Sequence, residues 1–255
     1  MFHTLAAAFR TVILAPLFFL MTLVLAAYIT IVGLIRKDSP RIEGTIQWWS
    51  KRFLRIPPIT YEVEGAEKVE PGHQYVFVSN HLSNFDIPLL FRGIRVPIRF
   101  LAKKELFKIP FVGTAMRVVG IVKIDRKAGM SAHEAINAGV ADARERGFSL
   151  IVFAEGTRSR DGEMAPFKKG AFRIAIDNQL MLVPVVVAGT YEISPSGQWL
   201  IRPGRARLVV LDPVDTTGMT IKEDANRLLD ETHQRMSSVY NELRAATTAE
   251  REHQS

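Results

Sequence analysis

Among the six histidines of the 255-residue chain, His81 has the setting best suited to chemistry. It follows the apolar run Tyr75-Val76-Phe77-Val78-Ser79 and opens the stretch Asn80-His81-Leu82-Ser83-Asn84-Phe85-Asp86. Groups that contact ligands collect at strand ends in α/β sheets. An unbroken helix through this stretch would put His81 and Asp86 about 140° apart, too far round to pair. A loop through His81, with a helix starting near Asn84 and Pro88 tolerated in its first turn, lets Asp86 turn back toward the imidazole. A carboxylate on one ring nitrogen fixes the tautomer and leaves the other nitrogen as general base for a substrate hydroxyl. The plain alternative is a histidine that only hydrogen-bonds in a turn. The other histidines offer less: His3 and His253 are terminal, His73 sits in a polar turn, and His133 and His233 fall on helical stretches among charged neighbours.

A second group, Phe153-Ala154-Glu155-Gly156-Thr157-Arg158-Ser159, also ends an apolar run, LIVFA. Gly156 permits close backbone approach or positive φ, Thr157 offers a hydroxyl, and Arg158 a planar fork suited to phosphate. Glu155 is an odd neighbour for an anion unless it orients a hydroxyl or holds a cation. Read alone, the segment is equally a solvated turn. A third stretch, Gly120-Ile121-Val122-Lys123-Ile124-Asp125-Arg126, delivers Arg126 at a strand end. The fourth, Leu182-Val183-Pro184-Val185-Val186-Val187, is an apolar strand whose internal proline suggests a wall or an edge. Lys103, Lys104, Lys108, Lys168 and Lys169 follow other strand or turn signals, where a solvated charged face is the default.

Composition removes whole classes of chemistry. With no cysteine, disulfides, thiolate metal sites and a catalytic thiol are excluded. No GxxxxGK, GxGxxG, GxSxG or HExxH pattern occurs, so nucleotide hydrolysis, Rossmann redox chemistry, ordinary lipase chemistry and zinc proteolysis lose their usual signatures. The 33 Lys plus Arg against 26 Asp plus Glu leave +7, which suits an anionic partner. The basic residues are scattered and no nucleic-acid-binding pattern accompanies them, so a nucleic acid is not expected to be that partner.

The elements that must position these residues alternate. Expected strands are Ile59–Val63, Tyr75–Ser79, Ile98–Leu101, Ile121–Ile124, Leu150–Ala154, Leu182–Val187 and Arg207–Leu211. Expected helices begin near Asn84 and cover Phe111–Val119, Ser131–Arg146, Lys169–Asp177 and Ile221 to about Ala246. This alternation implies an α/β fold with a mixed central sheet and flanking helices.

Ahead of them, residues 11–35 carry no charge, and as a helix this length reaches about 37 Å, more than the ~30 Å hydrocarbon core of a bilayer. A cleaved signal peptide is disfavoured by the length of the stretch. Pro16 can kink it, and the next stretch, residues 40–56, is amphipathic, with Ile42, Ile46, Trp49, Phe53 and Ile56 at helical spacing beside Lys51, Arg52 and Arg55. A membrane-spanning helix and a hairpin lying in one leaflet, with Trp48 and Trp49 at the interface, both remain open. If the segment spans, Arg36, Lys37, Arg41, Lys51, Arg52 and Arg55 after it, against Arg10 before it, put the C-terminal side in the cytoplasm.

Taken together, NHLSNFD, GIVKIDR, FAEGTRS and LVPVVV, in this order and at these separations, resemble the four sequence blocks of the glycerolipid acyltransferase family, most nearly its bacterial 1-acyl-sn-glycerol-3-phosphate acyltransferases. The resemblance covers roughly Ile59 to Val210. It implies the glycerolipid acyltransferase fold; the domains read from the sequence are a membrane anchor over 1–56, a catalytic domain over 57–246 and a polar tail over 247–255. It implies that His81 is the general base and that Asp86 orients it and stabilises its charged form. Glu155, Gly156, Thr157 and Arg158 would hold the acceptor, with Arg126 and Lys104 adding charge for its phosphate. The implied reaction moves a fatty acyl group from acyl-CoA or acyl-carrier protein to the sn-2 hydroxyl of lysophosphatidic acid, giving phosphatidic acid for phospholipid biosynthesis. No metal or cofactor is implied, and the implied setting is the bacterial inner membrane, with the catalytic domain facing the cytoplasm.

Another lysolipid acceptor, such as a lyso-ornithine lipid or lysophospholipid, or a non-catalytic anionic-lipid binder, are the competing readings. In two places the sequence departs from the family pattern: Ala154 stands where proline is usual, which should loosen that turn slightly, and Lys123 where an aromatic is frequent. The absence of a nucleophile elbow favours direct transfer in a ternary complex, without an acyl-enzyme.

Overall fold

The computed structural model describes residues 2–55, 57–124, 130–198 and 200–252. Its strands are β1 (Ile59–Glu64), β2 (Tyr75–Ser79), β3 (Ile98–Lys103), β4 (Val122–Ile124), β5 (Ser149–Phe153), β6 (Met181–Ala188) and β7 (Gly204–Val210). They form one sheet in the order β1-β7-β6-β2-β5-β3-β4, in which β6 and β7 run antiparallel and the other neighbours parallel. The mixed sheet expected from the sequence is therefore present. Every residue of the central strand β2 is buried, as a parallel strand covered on both faces requires.

Alternation along β2 divides the core. Tyr75 and Phe77 face one apolar cluster; Val76 and Val78 face the other. The first face is covered by α1 (Phe2–Ile35), α2 (Pro40–Arg55), α3 (Asp86–Gly93) and α4 (Val112–Val119). The second is covered by α5 (Met130–Glu145), α6 (Gly170–Asp177) and α8 (Ile221–Glu252). Each large apolar side chain buried in these clusters stabilises the fold by roughly 1.5–3 kcal/mol.

The differences from the sequence expectation have local causes. β7 starts at Gly204 rather than Arg207 because it pairs with β1 from Ile59↔Gly204 onward, with Arg205 and Arg207 meeting Glu62 across the strands at 2.9 and 3.4 Å. A short helix, α7 (Thr190–Ile193), has no apolar periodicity to announce it. α8 continues to Glu252, past the Ala246 boundary suggested by the polar tail.

Pro184 is not on an edge strand, since β6 lies between β2 and β7. Its carbonyl accepts the Leu211 N–H at 2.9 Å, one residue beyond β7, so the missing donor falls where the ladder already stops. Pairing resumes only at Leu182 and Val214.

α1 and α2 form a hairpin laid against the first face of the sheet. Phe18 of α1 stacks on Phe53 of α2 at 4.6 Å, and the Trp49 indole N–H donates to the Thr22 hydroxyl at 3.1 Å. The stripe that makes α2 amphipathic is spent on the protein core: Ile42 and Ile46 are buried and Trp49 points inward, while Trp48 remains exposed beneath Arg52. Ile56 lies outside the described residues. The unspent apolar surface belongs to α1, where Val12, Ile13, Leu17, Phe19, Leu20 and Val24 are exposed. Its segment Thr11–Ile35 is long and apolar enough to cross a membrane and is a candidate membrane anchor.

Arg99 of β3 fastens this hairpin. It is 1% exposed, bonds Glu43 of α2, donates to the carbonyls of Val119 at 2.5 Å and Ile98 at 2.8 Å, and lies over the Phe148 ring at 3.6 Å. Removing one partner of a buried pair leaves an uncompensated charge. Glu43→Ala is therefore expected to destabilise the protein by about 2 kcal/mol, less than a fully buried pair because Glu43 is one-third exposed. Thermal unfolding of the detergent-solubilised protein checks this; an unchanged melting temperature would remove Arg99 from that role.

Candidate active site

The site forms where the C-terminal ends of β2, β5 and β6 meet. Asn80, immediately after β2, pairs with β6 through its side chain: its Nδ2 donates to the Val187 carbonyl and its Oδ1 accepts the Val187 N–H, both at 2.8 Å. The chain then loops through His81 and enters α3 at Asp86 itself, two residues later than Asn84. This is the geometry that frees the pair from helical spacing.

Asp86 is fully buried, and its carboxylate is surrounded by donors. Oδ2 accepts from His81 Nδ1 at 2.7 Å, from the Leu82 N–H at 2.7 Å and from the Ser83 N–H at 2.9 Å. Oδ1 accepts from the Thr190 hydroxyl at 2.5 Å. With an acceptor facing Nδ1, the proton of the neutral imidazole sits there and Nε2 carries the lone pair. The ring is clamped from a second direction by Phe153, whose centroid lies 3.7 Å away at 9° between planes. Thr190 was missed in the sequence. Its only signal is a hydroxyl directly after the LVPVVV block and Gly189, and pairing it with Asp86 across 104 residues needs the sheet order.

The second block divides its labour. Glu155 is 2% exposed and is not turned into the cavity; one oxygen accepts the His81 N–H at 2.8 Å, and the other accepts the Ala165 N–H at 3.1 Å. It ties the histidine loop to the loop before α6, so the expectation that Glu155 contacts an acceptor gives way to a positioning contact. Gly156 follows with φ of 74°, in the left-handed region that glycine tolerates, and reverses the chain. Thr157 and Arg158 then emerge into a cavity of about 770 Å³, with His81, Lys103 and Lys104 also on its walls. Arg158 has no ion-pair partner among the described residues.

Ala154 does not loosen the turn. Its N–H, which proline would lack, donates to the Ser79 carbonyl at 3.0 Å and joins the ends of β2 and β5. Lys123 lies away from His81, in a neighbouring cavity, and Arg126 lies outside the described residues. His233 is remote, packed edge-on against Phe167 at 4.7 Å.

A mixed sheet with flanking helices, carrying the half-buried His81 against the buried Asp86 above a cationic cavity, matches the fold of a solved acyltransferase. The chain belongs to the Acyltransferase family, whose sequence profile matches residues 60–188. It is 33% identical over 186 residues to the 1-acyl-sn-glycerol-3-phosphate acyltransferase alpha of Mus musculus, covering 72% of this chain and 65% of the mouse protein. The Homo sapiens protein of the same name is 34% identical over 188 residues, with the same coverage of 72% and 65%. The chain thus spans slightly less than two thirds of these relatives. The crystal structure of the 1-acyl-sn-glycerophosphate (LPA) acyltransferase PlsC from Thermotoga maritima superposes with a TM-score of 0.77 at 28% identity, covering 93% of this chain and 97% of that one.

Burial raises the Glu155 carboxyl from 4.5 to about 7, opposed in part by the two backbone N–H groups it accepts. Between these values the folded protein holds a proton that the unfolded chain has released. The stabilisation is complete below pH 4.5 and is lost as pH rises through about 7, a difference of roughly 3 kcal/mol. The melting temperature of the wild type should fall over this window more steeply than that of Glu155→Gln. Identical slopes would show that Glu155 does not titrate there.

Proposed function

We propose that the protein transfers a fatty acyl group from an acyl-CoA or acyl-carrier-protein thioester to the sn-2 hydroxyl of lysophosphatidic acid, making phosphatidic acid. The observation that carries this reading is the His81 Nδ1 to Asp86 Oδ2 contact of 2.7 Å at the wall of a cavity that also presents Arg158. The names of the relatives and of the Thermotoga maritima enzyme support the same reaction.

In the proposed step, His81 Nε2 takes the proton of the sn-2 hydroxyl as its oxygen attacks the thioester carbonyl carbon. The C–O bond forms, the C–S bond breaks, and the departing thiolate receives the proton from the imidazolium. Asp86 orients the ring and offsets its transient charge. Thr190 holds the remaining oxygen of Asp86, and Glu155 holds the backbone of His81, so both are positioning residues. Arg158, assisted by Lys104 and by Arg126, takes the phosphate of the acceptor, while Gly156 and Thr157 shape the approach. Transfer is direct, through a ternary complex.

The catalytic unit of residues 57–246 is held at the membrane by the hairpin of residues 1–56, and we favour the arrangement within one leaflet. α1 touches the domain at Thr11, whose hydroxyl accepts the Ile201 N–H at 2.9 Å, and again at Gly33, packed against Val118. That is about 33 Å of helix along the domain surface. A perpendicular crossing would draw Lys51, Arg52 and Arg55 of the packed α2 into hydrocarbon, at ~2.5–3.5 kcal/mol for each charge. Lying in the plane of the interface, α1 exposes its apolar face to lipid and leaves those cations at the head groups. A bacterial inner membrane, with the domain on the cytoplasmic side, fits this placement, in which the exposed Lys51, Arg52 and Arg55 meet anionic head groups.

His81→Ala should lower turnover by ~10²–10⁴-fold without unfolding the protein, and Thr190→Val should reduce kcat while KM changes little. The assay is mass-spectrometric detection of phosphatidic acid formed from lysophosphatidic acid and acyl-CoA or acyl-carrier protein in detergent. A folded His81→Ala protein with normal turnover would refute the mechanism. Arg158→Ala should raise the KM for lysophosphatidic acid about tenfold or more, as charge-assisted bonds of roughly 1.5–3 kcal/mol imply. A rise in the donor KM alone would reassign the cation.

A further inference from the structure

The catalytic cavity has a neighbour. Across the 3-10 turn Lys104–Lys108, a second cavity of about 500 Å³ is lined by Lys104, Lys108, Arg117 and Lys123, with Phe107 and Ile121 among its apolar walls. Lys108, Arg117 and Lys123 are exposed, so they are not held there by burial. Among the described residues its lining holds one carboxylate, Asp142, which already pairs with Lys37 at 3.2 Å and Arg146 at 3.4 Å.

The two spaces adjoin. Lys104 lines both, and at the edge strand β4 the consecutive residues Lys123 and Ile124 border the second and the catalytic cavity respectively.

Direct transfer requires two anionic substrates at the same time. The acceptor brings its phosphate to Arg158, and a CoA donor brings several phosphates of its own. Like charges crowded into one cavity repel strongly at low dielectric, so the two heads need separate cationic sites. A volume of about 500 Å³ falls within the ~300–1,000 Å³ usual for small-molecule sites, and the apolar walls suit a purine ring. We propose that this second cavity binds the phosphorylated nucleotide head of acyl-CoA, with the pantetheine arm passing Lys104 to bring the thioester to His81. The inference rests on the acyl-transfer reading above and names the donor and where it is held.

The test compares three thioesters carrying the same acyl chain on the full chain in detergent: acyl-CoA, acyl-pantetheine, which has the arm but no phosphates, and acyl-carrier protein. The variants are Lys108→Ala, Arg117→Ala and Lys123→Ala, singly and together, with Lys123→Arg as the charge-preserving control. Each loss of charge should raise the KM for acyl-CoA severalfold, and the triple variant a hundredfold or more, with the KM values for acyl-pantetheine and lysophosphatidic acid unchanged and Lys123→Arg near wild type. Binding of CoA itself, measured by calorimetry, should weaken in parallel. That measurement needs no turnover, so it stands even if the wild type transfers nothing, an outcome that would instead refute the reaction. A raised KM for lysophosphatidic acid would assign the cavity to the acceptor or a lipid head group, and an effect confined to acyl-carrier protein would assign it to a protein surface. Either result, or unchanged CoA binding in the triple variant, overturns the proposal.

Discussion

One buried carboxylate organises the site. Asp86 has no solvent to turn to, and an ionised carboxylate out of water must be met by donors or it costs many kcal/mol. Those donors come from two distant parts of the chain: the imidazole and two backbone N–H groups of the loop after β2, and the Thr190 hydroxyl beyond β6. Satisfying Asp86 therefore sets the relative height of the ends of β2 and β6, which the Asn80 amide locks through Val187. Gly189 serves the same end: its φ of 84° brings Thr190 round, and a side chain there would collide with the Arg205 carbonyl. The histidine then has one orientation because everything around Asp86 has one.

The segment Glu155-Gly156-Thr157-Arg158 makes adjacent residues do opposite work. Glu155 turns inward and binds two loops by their backbone N–H groups, while Thr157 and Arg158 turn outward into the cavity. The left-handed conformation of Gly156 makes the reversal possible within one residue. An acidic residue can thus stand next to a cation without neutralising it, since its carboxyl group faces backbone donors away from the cavity.

The hairpin is governed by a similar economy of surface. α2 uses its apolar stripe on the sheet and keeps its cations outward, whereas α1 buries only a narrow line of side chains, including Phe18, Ala26 and Ile29, and leaves the rest exposed. The buried Arg99, bonded to Glu43 and to two carbonyls, joins the hairpin to β3, the strand whose end also borders the cavity at His81. Arg99 thereby connects the exposed apolar face of α1, through the hairpin and β3, to the end of the sheet that carries His81.

The sequence alone determined the elements and singled out the His81–Asp86 pair. Short apolar, β-branched runs marked all seven strands to within a few residues, and NHLSNFD with FAEGTRS marked His81, Asp86 and Arg158, because strand ends and residue chemistry are local properties. Tertiary structure decided what distance in sequence conceals. It turned Glu155 from the acceptor to the backbone, brought Thr190 to Asp86, made the Ala154 N–H a link between two strands, and placed Pro184 in an interior strand where its missing donor is not needed. It also spent the α2 stripe on the core and left α1 to face outward. Each of these depends on which strand lies beside which, and local sequence carries no term for a hydrogen bond whose partner is a hundred residues away.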